Sequence, residues 1–271
     1  MTAVLLALFL GALIGLSVGA LGGGGSILAV PVLVYLLGES PAQATTGSLV
    51  VVAVTSVIAA LTAARAGNVL LARGAVFGVV AIGGTAVGAR AAVHVDEDVL
   101  MVSFAALLLL VGATMAWRQR PGRIAPKAPR RRAVDESATG AMSAARLRQA
   151  AGVLLTATVV GLLTGFLGVG GGFLVVPALL LVLALPMRYA VGTALVAIAI
   201  TSTAALALRV GAGIQPDWTI VLALTATSAI GGFVGARLAT RIDAKRLTLG
   251  FTVLVLSVAV YTAARAIPAL F

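Results

Sequence analysis

The chain has 271 residues, 61% of them hydrophobic and only 10% charged, with a mean hydropathy of +1.16. Soluble domains run at roughly half apolar and a quarter charged, so this balance excludes a water-soluble domain and defines an integral membrane protein. Cysteine is absent, which removes disulfides, thiolate metal sites and thiol redox chemistry, and the formal charge of +11 comes from basic residues in one stretch and at segment ends, a membrane-orientation pattern and not a nucleic-acid surface.

Spanning helices need about 20 apolar residues each and the chain supplies many such runs, whereas barrel strands would alternate apolar and polar positions. The expected class is an all-α integral membrane protein. Thr2 to Ala20 is apolar but has no basic residues ahead of it, so it reads as a retained first segment and not a signal peptide. Gly11, Gly15 and Gly19 share one face of it and predict close helix packing. Gly22 to Gly25 then break the helix, and Ser26 is the expected cap of a second segment, Ile27 to Leu37. That second piece rises only about 16 Å against a hydrocarbon core of ~30 Å, so segments one and two predict a broken helical hairpin with its glycine turn at depth.

Gly38 to Pro41 reads as a turn, and segment three runs from Thr45 to Ala63, with Gln43, Thr45, Thr46 and Ser48 at its start and Thr55 and Ser56 within it. Segment four spans Gly74 to Ala89 with Gly84 and Gly88 as a second small-residue pair. A polar loop, His94 to Asp98, leads to segment five, Val99 to Trp117. Arg118 to Gln149 carries nine basic residues against Asp135 and Glu136, with Pro121, Pro126 and Pro129 opposing helix; it reads as a disordered cytoplasmic linker.

The second half repeats the plan. Shifting Gly15–Pro31 by 146 positions matches Gly15, Gly19, Gly22, Gly24, Gly25 and Pro31 with Gly161, Gly165, Gly168, Gly170, Gly171 and Pro177. Segments six to ten are Ala151 to Leu167, Phe173 to Leu185, Ala190 to Leu208, Trp218 to Ala239 and Leu247 to Ala264, with a glycine break at Gly168 to Gly172. The organisation is a first transmembrane repeat over 1–117, a basic linker over 118–150 and a second repeat over 151–271, giving eight to ten membrane segments. If each hairpin returns the chain to its side of entry and the linker is cytoplasmic, 16 basic residues lie inside and Arg90, Arg209 and Arg265 outside; if each hairpin crosses once the split is 13 to 6. The first scheme obeys the positive-inside rule better and inverts the halves.

Broken helices in a bilayer are tolerated only where they line an enclosed or wet site, and a pair of breaks at corresponding places points to a transporter's binding site. Backbone N–H groups of Gly23 to Ile27 and of Gly170 to Leu174, freed at positive helix ends, suit an anion. The candidate substrate-binding residues are Gly23, Gly24, Gly25, Ser26, Thr45, Thr46, Ser48, Gly170, Gly171, Gly172, Thr193, Thr201 and Ser202. The bland alternative is that the glycines only pack and the hydroxyls bond back to their own helices. Arg65, Arg188 and Arg209 are candidates to draw an anion inward, against a role as interfacial anchors, and Trp117, Trp218 and Tyr261 read as belt residues.

All eight acids fall outside the spans, so no buried carboxylate is expected for a proton relay or cation site. His94, the sole histidine, sits beside acids in a polar loop. No phosphate-binding loop, dinucleotide fingerprint or nucleophile constellation is present, so neither an enzyme nor a cofactor or metal is expected.

The duplicated Gly-Xaa-Gly-Gly-Gly followed by an apolar quartet and proline, the PAQATTGS and PMRYAVGT stretches, the Arg65-Ala66-Gly67-Asn68 loop and the Gly-Ala-Arg ends at Arg90 and Arg237 resemble the sulfite exporter TauE/SafE family of membrane permeases. The first copy departs from the pattern, with Gly23 where Val169 stands and Ser26 where Gly172 stands. The resemblance implies ATP-independent transport of sulfite, sulfonates or related sulfur-containing anions across the bacterial inner membrane. The expected partners are the lipid bilayer and a small anionic substrate, with a homodimer through the glycine faces as a further option and no nucleic acid. An anion channel and a non-transporting scaffold or assembly factor are the rival readings.

Overall fold

The computed structural model describes residues 2–92, 94–118, 144–167, 172–181, 183, 185–209 and 215–266. Among them there is no strand. The helices are α1 (Thr2–Leu21), α2 (Ser26–Pro31), α3 (Pro41–Arg65), α4 (Leu71–Ala92), α5 (Glu97–Arg118), α6 (Ala144–Leu167), α7 (Gly172–Leu181), α8 (Met187–Arg209), α9 (Trp218–Ala239) and α10 (Ala244–Ala266). Five of them, α3, α4, α8, α9 and α10, are long and apolar enough to cross a membrane in their described residues. Leu155, Ile230 and Phe9 are among the large apolar side chains left on the outside, a surface that suits hydrocarbon and not water.

Local chemistry sets several boundaries. α3 begins at Pro41, earlier than the expected Thr45, because Ser40 and Gln43 form a reciprocal capping box and proline fits the first helical position. α6 begins at Ala144, inside the stretch expected to be linker, where Ala-Ala-Arg-Leu-Arg-Gln-Ala-Ala is built of strong helix formers. The rest of that stretch, 119–143, lies outside the described residues. α2 continues past Pro31 as a π-helical turn, Val32–Leu36, closed by Leu37 N–H donating to the Val32 carbonyl; proline lacks a donor and its ring crowds the preceding turn.

Glycine faces bring the helices together. A methyl added at Gly11, Gly15 or Gly19 of α1 would strike the α9 backbone at Leu224, Ser228 or Gly232, and one at Gly231 or Gly235 of α9 would strike α1 at Ala12 or Leu16. The α4–α6 seam is built likewise, with Gly161 and Gly165 against Ala81 and Thr85, and Gly84 and Gly88 against Thr158 and Leu162. The Gly84/Gly88 and Gly231/Gly235 faces are thus occupied inside the chain. In both seams residue numbers rise together, so α1 runs parallel to α9 and α6 parallel to α4.

α3 and α8 pack antiparallel. Gln43 Nε2, near the start of α3, donates to the Gln215 carbonyl just past α8, while Asn68, just past α3, is the backbone against which Gly192 of α8 packs. Call the end where α3 finishes and α8 starts the linker end, since α5 finishes and α6 starts there too, and the opposite end the far end. α1 enters from the far end and α3 leaves from it; α6 enters from the linker end and α8 leaves from it. Each hairpin therefore returns the chain to the side it came from. The hairpins are braced from outside: Phe173 of α7 meets Phe104 of α5 edge-on at 5.9 Å, and Tyr35 meets Tyr261 of α10 edge-on at 5.8 Å.

Candidate functional site

The first glycine break is a backbone device before it is anything else. Gly22 and Gly23 hold φ of +66° and +114°, which side chains rarely adopt, and both N–H groups reach back to the Val18 carbonyl. Ser26 does not cap α2. It is the first helical residue, and its N–H and Oγ–H both donate to the Gly23 carbonyl, at 3.1 and 2.6 Å, because the reversal at Gly23 turns that carbonyl toward the new helix. Of the amides expected to be free, those of Gly23 and Ser26 are thus engaged, while those of Gly24 and Gly25 take no backbone acceptor among the described residues.

The two breaks meet. A methyl on Gly23 would run into the backbone of Gly172, and one on Gly172 would come within 2.9 Å of Ser26 Oγ and 3.0 Å of Ile198 Cδ1. Ile198 stands at the middle of α8, so the contact lies at mid-height in the bundle. Gly170 and Gly171, the other candidates of the second break, lie outside the described residues.

The candidate hydroxyls do not gather in one place. Thr45, Thr46 and Ser48 occupy the far-end turns of α3 and donate to Pro41, Ala42 and Thr45 carbonyls on their own helix. Thr193 is at the linker end, where its Oγ1 accepts from Leu70 N–H at 3.1 Å and ties α8 to the loop before α4. Thr201 donates within α8. The exceptions are Ser202 on α8 and its counterpart 146 positions earlier, Ser56 on α3: both are fully buried and neither Oγ has a partner, and Thr55 Oγ1 is in the same state. Buried hydroxyls are nearly always satisfied, so these orphans on two packed helices mark places where something else could be bound. Ser56 and Thr55 were legible in the sequence through the repeat offset but were not among the candidates.

The arginines sort by end. Arg65 and Arg188 are at the linker end, and Arg209, the last residue of α8, is at the far end. Arg65 lines an open cavity of about 230 Å³ together with Thr62, Ala66, Phe233, Arg237 and Thr240, and the Arg237 guanidinium lies 4.4 Å over the Phe233 ring. Arg237 is not among the candidate residues read from the sequence; the signal that points to it is Phe233 four residues earlier. Thr240 also lines an adjoining cavity of about 10 Å³, room for about one water, bounded by Gly19, Asn68, Arg188 and Gly192. Beyond it Gly22 packs against the Val191 backbone. Val191 also lines the smaller cavity, so the two guanidiniums, that cavity and Gly22 lie in succession at the linker end.

The far end corrects one expectation. Glu39 lies outside the spans but is buried, 8% exposed, because the return turn after α2 folds beneath the start of α9. Its Oε1 accepts from Asp217 N–H at 2.9 Å, and its Oε2 is sealed and without a partner. Burial pushes this carboxyl above its ordinary range; the Asp217 N–H pulls it back in part and the Asp217 carboxylate adds to the rise. Trp117, Trp218 and Tyr261 are exposed, the two tryptophans at helix ends, and His94 is exposed with its Nδ1 3.1 Å from the Arg90 carbonyl.

A helical bundle with a lipid-suited exterior, enclosing two glycine-broken hairpins in mutual contact, defines a multi-pass membrane transporter. The chain belongs to the sulfite exporter TauE/SafE family, whose model matches residues 7–262. It is 32% identical over 254 residues to a probable membrane transporter protein of Xylella fastidiosa strain 9a5c, covering 93% of this chain and 91% of the relative. It is 28% identical over 247 residues to the probable membrane transporter protein YunE of Bacillus subtilis, covering 88% and 89%. No solved structure matches the chain.

Proposed function

We propose that the protein is a secondary carrier for a small oxyanion of the sulfite or sulfonate class, working by alternating access between two inverted repeats in the bacterial inner membrane. The observation that carries this reading is the backbone contact of Gly23 with Gly172 at the middle of α8. An anion held where the hairpins touch would gain from positive helix ends without a buried cation, and the Gly24 and Gly25 amides, which take no backbone acceptor among the described residues, support that reading. The orphan hydroxyls of Ser56 and Ser202 support an uncharged site on α3 and α8. The matching α1–α9 and α4–α6 seams, with α3 antiparallel to α8, support inversion, and with the linker cytoplasmic 16 of the 19 basic residues fall inside. Arg65, Arg188 and Arg237 then form a cytoplasmic approach, which fits export, favoured by the membrane potential at about 2.3 kcal/mol per charge per 100 mV.

The test is uptake into proteoliposomes of the purified protein, offering sulfite, sulfate, thiosulfate, taurine and sulfoacetate at both signs of imposed potential. Saturable flux of one or more, with counterflow, is expected, and it should be lost in Gly171→Leu with the fold retained. Unsaturable conductance would make the protein a channel, and no flux of any of the five would remove the oxyanion reading.

A further inference from the structure

Glu39 has no part in the approach just described, yet it is buried at the far end with one carboxyl oxygen unpartnered. An ionised oxygen buried without a partner is far more expensive than a neutral carboxyl in the same place, and Oε2 is buried without a partner. Three elements close over it. The π-helical turn ends in the loop that carries it, with Glu39 N–H donating to the Leu33 carbonyl at 3.0 Å. A methyl on Gly47 of α3 would stand 3.9 Å from Oε2, and α9 supplies the Asp217 N–H. No opposite charge faces it from these elements: α2 and its π-helical turn carry no charged residue, α3 none before Arg65, and α9 none before Arg237, leaving Asp217, of the same sign.

The other end is built on the same plan without the acid. Leu185, 146 positions on, donates its N–H to the Leu179 carbonyl at 3.3 Å as Glu39 does to Leu33, and Thr193 takes the amide that a carboxylate takes at the far end. The corresponding position therefore carries an ionisable group at the far end and an apolar one at the linker end.

Resting on the carrier reading, we propose that Glu39 is a proton-binding latch of the far end: it is protonated while the return turn, α3 and α9 are packed over it, and it ionises when they part. On opening, the O–H bond breaks and the proton passes to water at the far end; on closing, the carboxylate takes a proton from that same water. The proton does not cross the membrane. Acid on the far side holds that end shut, and alkali favours its opening. The raised affinity of the buried carboxyl for a proton agrees with this direction.

The absence of native cysteine allows clean labelling. Leu36→Cys on the hairpin and Leu222→Cys on α9, both at exposed positions, carry nitroxides, and their separation is read by pulsed electron resonance in lipid nanodiscs without any substrate. As pH is raised from below the ordinary carboxyl range to well above it, the ratio of long to short separations should rise roughly tenfold with Glu39 present. In Glu39→Gln it should stay short and flat, and Glu39→Leu, which copies Leu185, should be flat as well. A ratio that ignores pH with Glu39 in place, or an unchanged pH response in both variants, overturns the latch. Because no substrate enters the measurement, failure of anion uptake would remove the carrier's substrate and leave this result standing, and the converse holds.

Discussion

The two ends of the bundle solve the same problem with different groups. At the linker end the N–H of Leu70, just ahead of α4, donates to the hydroxyl of Thr193; at the far end the N–H of Asp217, 147 positions on and just ahead of α9, donates to the carboxylate of Glu39. A buried amide must find an acceptor, and the position that supplies it at the linker end is glycine at the far end, Gly47. A neutral hydroxyl answers at one end and an ionisable acid at the other. One backbone plan is thus kept while the group that answers the amide differs in chemistry between the two ends.

The two ends share a hub where Gly23 meets Gly172, and the largest effect comes from removing it. Gly23→Leu meets both a left-handed φ and the Gly172 backbone, so it should cost about 3 kcal/mol or more, read as loss of monodisperse protein after solubilisation. Wild-type behaviour of this variant would mean the hairpins do not touch. Next, Thr193→Val deprives the Leu70 N–H of its acceptor at constant shape and should lower stability by about 1–3 kcal/mol in thermal unfolding, equally at every pH.

At the far end the sign depends on pH. Because the folded state holds the Glu39 proton more tightly than the unfolded chain, stability should be greatest in acid, below the ordinary carboxyl range, and should fall as pH rises toward the raised value. Glu39→Gln should abolish that fall, and a melting profile with the same slope in both proteins would show the ends to be chemically alike. The smallest effect separates the two seams: Ser228 Oγ donates to the Gly11 carbonyl across α1–α9 at 2.8 Å, and its counterpart on α4 is Ala81. Ser228→Ala should cost about 0.6 kcal/mol, and Ala81→Ser should give no matching gain, since Ala157 stands where Gly11 would.

The parts of this molecule that were plain in the sequence are those decided by neighbours along the chain. Gly22 to Gly25 break the helix because consecutive glycines have no side chain to favour one, and α9 runs over the expected Trp218–Ala239 because its apolar run is uninterrupted. The early start of α3 was also legible, in the Ser-Pro-Ala-Gln capping signature, but the polar residues behind it read as a prelude to the span. What escaped depends on which surface arrives from elsewhere. Glu39 reads as a turn acid until α9 lands on it, and Arg237 reads only as the end of a Gly-Ala-Arg stretch until α3 brings Arg65 to the same cavity.

The sequence by itself determined that this is a helical membrane protein, that the Gly15–Pro31 pattern recurs 146 positions on, and that the first helix breaks at Gly22, because hydropathy, repetition and glycine content are properties of the chain alone. Only the tertiary structure decided that α1 pairs with α9 and α4 with α6, that Gly23 rests on Gly172, and that Glu39 is buried. Those outcomes depend on which faces approach closely enough to exclude water and lipid, and such proximity is set by the packing of segments up to some two hundred residues apart.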